Sequence, residues 1–244
     1  MNLFNGATLR ALQYGSMVFA ASALVACGGA NDSGSSPGAT VSGTAAVGAA
    51  LANANVTLTC KNGSGSATSD SKGAYKATFN FDGPCAVTAT GGSVSIHSFA
   101  AGSGTYNVTP LTELLLSYLA GQLGTTESGL LAGIASNATY QNALANSTVI
   151  ANAEAAVVKL IKDTYGITLS TTSFLTVSFT PGTAGADADL DTLLKAGAIS
   201  SDGQPAAALA AAAVAAGQEA PLGSGSSGST GGTGGSGGTG TSAK

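Results

Sequence analysis

The sequence predicts an α+β protein. A small antiparallel β-sandwich comes first and an α-helical region follows, with a leader and tether before them and a disordered tail behind. Three observations predict this. Residues 40–108 alternate apolar and polar side chains in short runs divided by turn residues. From Thr109-Pro110 onward the apolar residues recur at helical spacing. The two ends are different again, an apolar run with a polar spacer at the front and a Gly/Ser/Thr stretch at the back.

Residues 1–26 read as a signal peptide. Arg10 supplies the positive charge and residues 16–26, SMVFAASALVA, the apolar stretch, which is too short to cross a bilayer as a helix. The stretch ends Leu24-Val25-Ala26-Cys27. This resembles the lipobox of bacterial lipoproteins. The resemblance implies lipid on the Cys27 sulfur, cleavage before it, and acylation of the new amine. More than one chain gives stable anchoring where a single chain binds only marginally. Gly28 follows, not the Asp that retains many such proteins at the inner membrane, so the resemblance favours the outer membrane. Residues 27–39 then form a polar tether without periodicity.

In the β region, Val56–Cys60, Tyr75–Asp82, Cys85–Thr90 and Val94–Ile96 alternate as strands. Asn62-Gly63, Asp70–Gly73, Asp82–Pro84 and Gly91-Gly92 mark the turns between them. Short strands at this spacing suggest a small, Ig-like sandwich. Cys60 shares a face with Val56 and Leu58, and Cys85 shares one with Val87 and Ala89, so both thiols point inward. With Cys27 lipidated, they are the two cysteines left. An even pair in an oxidising compartment predicts a disulfide. A metal site would need three or four ligands, and His97 is the single histidine available.

The segments Val41-Ser42-Gly43, Leu51–Leu58 and Thr68–Tyr75 together resemble the carboxypeptidase regulatory-like (transthyretin-like) domain. The resemblance covers about 70 residues and implies a folding or binding accessory, since the peptidase zinc ligands of such proteins belong to another domain. Gly73 then takes the turn position with positive φ, and Tyr75 starts the next inward face.

Thr109 is a candidate N-cap, with Pro110 at the first helical position. Helices are expected at 110–122, with Leu111, Leu114, Leu115, Tyr118 and Leu119 on one face, then at 126–135, 137–145 and 148–165. The last carries an apolar stripe of Ile150, Ala153, Val157, Leu160 and Ile161 and stops at Gly166. Residues 167–180 are Thr-rich and β-branched and leave helix and extended chain both open. Further helices are expected at 188–199 and, between Pro205 and Gly217, at 205–216. The Ala-rich last one buries little area and should dock loosely. The helical region thus spans 109–217 and the tail 218–244.

Charged residues make up 8% of the chain, against about a quarter in a typical protein, and the formal net charge is −4. There is no basic cluster to neutralise phosphates, which excludes nucleic acid as a partner. Motifs for chemistry are equally sparse. Gly223–Gly228 and Gly234–Gly238 match G-x-G-x-x-G and G-x-S-x-G in composition alone, since neither follows a strand or opens a helix. Asp187, Asp189 and Asp191 begin like a calcium loop, but Thr192 and Ala198 stand where Gly and Glu are needed, so an acidic first helical turn is the better reading. Alternation places His97 on the outer face of its strand as a surface residue. Asp70, Asp82 and Glu113 fall in turns or at a helix start, and Glu127 and Glu154 read as solvated. No carboxylate pair, triad, cofactor or metal site is nominated.

The expectation is a non-enzymatic, lipid-anchored cell-envelope protein, a structural or protein-interaction module. Its partners would be the membrane, through Cys27, and an envelope protein or glycan. A carbohydrate-binding or adhesion role is the alternative, although the chain lacks the Trp that sugar platforms favour. A hydrolase is a third reading.

Overall fold

The computed structural model describes residues 38–222. The signal peptide, Cys27, most of the tether and the tail from residue 223 lie outside the described residues. Two sheets form a sandwich-like body. One has strand order β4-β1-β7, built from β1 Ala39–Thr44, β4 Ala74–Phe79 and β7 Gly104–Thr105. The other has order β3-β2-β5-β6, built from β2 Asn55–Thr59, β3 Ser64–Thr68, β5 Cys85–Gly91 and β6 Val94–Ala100. All pairings are antiparallel except β1 with β7.

Alternation settles what the sheets bury. Val56 and Leu58 of β2, Tyr75 and Ala77 of β4, and Val87 and Ala89 of β5 face one core together with Val41 and Ile96. The turn at 70–73 forms as its residues dictate. Asp70 Oδ1 accepts the N–H groups of Lys72 and Ala74 at 2.8 and 2.9 Å. Gly73 has φ +77°, and a Cβ there would lie 2.3 Å from the Ala45 carbonyl oxygen, so glycine is required twice over. Cys60 and Cys85 are joined by a disulfide inside this core, with exposures of 5% and 0%.

The helices are α1 Pro110–Gln122, α2 Glu127–Gly133, α3 Ala138–Ala145, α4 Ser147–Tyr165, α5 Ala186–Lys195 and α6 Ala207–Glu219. Asn137 and Asn146 cap α3 and α4 through their side-chain oxygens, and Gly166 ends α4 in the left-handed conformation. A second core forms around α1, with Leu130, Ile134, Val157, Ile161, Leu190 and Leu209 closing on it. Among the described residues no helix is long and apolar enough to cross a membrane.

Four expectations change. Helix α1 was expected to have one apolar face, yet every residue of it is buried. The loosely docked Ala-rich helix instead packs tightly. A Cβ on Gly217 would fall 2.1 Å from the Tyr118 carbonyl oxygen, and one on Gly121 would fall 2.2 Å from that of Val214. Small residues on α6 let two backbones touch, so area per side chain was the wrong measure. For the same reason Gly217 does not stop the helix, which continues to Glu219 and so removes two residues from the expected tail. Helix α5 begins and ends earlier than 188–199, because Gly197 and the Ile199–Pro205 bridge turn the chain.

The ambiguous 167–180 segment forms neither strand nor helix and runs as irregular chain with a turn at 174–176. It is held in place by Asn107, fully buried, whose Oδ1 accepts the Thr44 N–H at 3.1 Å. Its Nδ2 donates to the carbonyls of Phe174 and Val177 at 3.0 and 2.7 Å. One amide thus joins β1 to the segment that seals the helical core.

Candidate functional site

Strand β6 is an edge strand, and an edge leaves backbone groups unpaired. At His97 the first turn of α1 satisfies both. Glu113 Oε1 accepts the His97 N–H at 2.6 Å, and the Thr112 hydroxyl donates to the His97 carbonyl at 2.7 Å. The same hydroxyl oxygen accepts the Thr109 N–H at 3.0 Å, which fixes the start of the helix. The docking carries side chains with it. The imidazole Nδ1 lies 3.0 Å from Glu113 Oε1.

A third member arrives from α2. Glu127, the first residue of that helix, turns its carboxyl toward Glu113, and its Oε2 accepts the Ser117 hydroxyl at 2.6 Å. One ligating atom each from His97, Glu113 and Glu127 lie within 4.8 Å of one another. The surroundings are partly shielded from solvent. Glu113 is 1% exposed, and the His97 side chain is 30% exposed. Burial pushes Glu127 up to about 7, with the hydrogen bond to Glu113 adding to the rise. His97 is also raised, chiefly by its hydrogen bond to Glu113, against the opposing effect of burial. Glu113 Oε2 is buried, and no N–H or hydroxyl donor reaches it.

Three sequence readings are therefore corrected. His97 does stand on the outer face of its sheet, but α1 covers part of that face, so the histidine is half-buried and not freely exposed. Glu113 is not merely at a helix start; it is the buried centre of a cluster. Glu127 is half-buried and not freely solvated. The signal that could have found them is Thr109-Pro110-Leu111-Thr112-Glu113, an N-terminal helix box whose acidic residue directly follows the box threonine.

Glu154 on α4 is likewise buried, not solvated. Its Oε1 accepts the Leu175 N–H at 2.8 Å, and burial raises it to about 7, opposed by that hydrogen bond. It lines a cavity of about 390 Å³ with Tyr106, Leu144, Ile150 and Leu175. Asp187 and Asp189 do not cap their own helix. Asp187 Oδ2 accepts the Gly182 N–H at 2.7 Å, and Asp189 Oδ2 accepts from the backbone and hydroxyl of Ser170 at 2.8 and 2.6 Å. Both carboxylates tie down loops. Asp70 and Asp82 remain turn residues, the latter accepting from Asn62 at 2.5 Å. Comparison with family models, with curated proteins and with solved structures gives no match for this chain.

Proposed function

We propose that this protein is a lipid-anchored module of the bacterial cell envelope, held at the membrane through Cys27, that works by binding a protein partner and not by turnover. The observation that carries the reading is the Cys60–Cys85 bridge, enclosed in the sandwich core. A buried disulfide suits an oxidising compartment, which is where the Arg10, apolar-run and Leu-Val-Ala-Cys pattern would deliver the chain. The sandwich-like body is also consistent with the carboxypeptidase regulatory-like resemblance, whose modules serve as accessories. An outer-membrane location follows from Gly28 on the same reading.

The test is metabolic labelling with a clickable fatty acid, followed by membrane fractionation. The native chain incorporates label and sediments with membranes. Cys27→Ser incorporates none and becomes soluble. A Cys27→Ser chain that stays labelled and membrane-bound would refute the anchor. Crosslinking in the native cell then tests the binding half, which fails if no specific protein is recovered.

A further inference from the structure

We propose that His97, Glu113 and Glu127 form a binding site for one divalent transition-metal ion of the zinc class, seated where β6, α1 and α2 meet. The donor set is one imidazole nitrogen and two carboxylates. Mixed nitrogen and oxygen donors, three in number, suit a zinc ion that keeps a fourth position for water. The imidazole selects against calcium and magnesium, which prefer all-oxygen shells of higher coordination number.

The geometry is nearly assembled. Ligands about 2.1 Å from one ion stand at most roughly 4.2 Å apart. The three ligating atoms already lie within 4.8 Å of one another, with His97 Nδ1 and Glu113 Oε1 at 3.0 Å. Small side-chain rotations bring all three onto one ion. The outer shell is also in place. The Ser117 hydroxyl orients Glu127, and the His97 backbone N–H orients Glu113.

The independent pointer is Glu113 Oε2. It is a carboxyl oxygen on a side chain 1% exposed, and no N–H or hydroxyl donor reaches it; the Glu127 carboxyl hydrogen-bonds Glu113 only while it keeps its proton. Buried polar atoms are almost always satisfied, and leaving one bare is costly. Among the described residues no Lys or Arg pairs with the cluster, and the lysine ion pair is Lys159 with Asp163, out on α4. A bound cation takes the place of that proton between the two carboxyls. The partly exposed His97 gives it a route in. Once bound, it would tie the edge strand to two helices and so join the two cores.

The experiment uses the untagged full chain in detergent, titrated calorimetrically with zinc chloride. Glu127→Gln, His97→Gln and, as a surface control, Asp163→Asn are run beside it. Expected is one zinc per chain, with binding weakened at least tenfold in Glu127→Gln and His97→Gln and unchanged in Asp163→Asn. Zinc at 100 times its dissociation constant should raise the unfolding midpoint by about 5–10 °C in the native chain and in Asp163→Asn, and by clearly less in the two site variants. Circular dichroism confirms that each variant is folded, and either variant suffices if the other is not. Cobalt(II) in place of zinc should show the visible absorption of a four- or five-coordinate ion. Absence of saturable binding, or equal affinity in the folded site variants, would overturn the proposal and leave the lipid-anchor reading untouched.

Discussion

Replacing Glu154 by Gln isolates the cost of burying one carboxyl. Gln keeps an oxygen for the Leu175 N–H, so the hydrogen bond survives while the ionisation is removed. In the native chain, burial raises Glu154 from 4.5 to about 7. The folded state therefore holds its proton more tightly than the unfolded state. Between pH 4.5 and 7 the native state binds more protons, so stability falls as pH rises across that window. The full penalty, reached above pH 7, is about 3 kcal/mol. Urea unfolding of the full chain and of Glu154→Gln, run from pH 4 to pH 8.5, reads this directly. The two should be nearly equal at pH 4, and the variant should be more stable by up to about 3 kcal/mol at pH 8.5. Parallel pH profiles, or a variant that is less stable at pH 8.5, would refute the claim that a buried ionisable group sits at Glu154.

Other positions give sharper structural tests. Gly217→Ala would stabilise an ordinary helix interior by about 1 kcal/mol, but here the new Cβ meets the Tyr118 carbonyl. A loss of about 1–3 kcal/mol is expected in thermal unfolding, and the sign alone decides. Asn107→Ala removes three hydrogen bonds from a buried site and should cost about 3 kcal/mol in urea unfolding, with limited proteolysis appearing first in residues 167–180. The double change of Cys60 and Cys85 to Ala should cost about 3–4 kcal/mol, measured against the oxidised native chain.

The sheet was largely legible because period-two alternation encodes which side chain faces in. Val56, Leu58, Val87 and Ala89 could be placed by counting, and so could Cys60 and Cys85. The same counting put His97 on the other face and stopped there, since alternation does not say what lies against that face. Glu113 was hidden for a related reason. A carboxylate in a first helical turn reads as solvated unless one knows that the helix is buried all round. Helix α6 misled in the opposite direction, because small residues bury little area singly yet permit backbone contact. Irregular segments such as 167–180 carry no period at all. Their path depends on Asn107, some 70 residues away.

The pairing of α1 with α6 also sets a schedule for the chain. Helix α1 has no face fit for water, and its closest partner, α6, is made long after it. The hydrogen bond from Gln122 to the Ala220 carbonyl spans 98 residues. Such distant contacts carry a large loop-closure cost and form late. Until residues 207–219 emerge, thirteen consecutive buried residues, from Pro110 to Gln122, lack their cover. During synthesis that stretch is an aggregation hazard of the kind that holding chaperones exist to shield. A chain cut before residue 207 would keep its sandwich strands and lose the means to finish its second core.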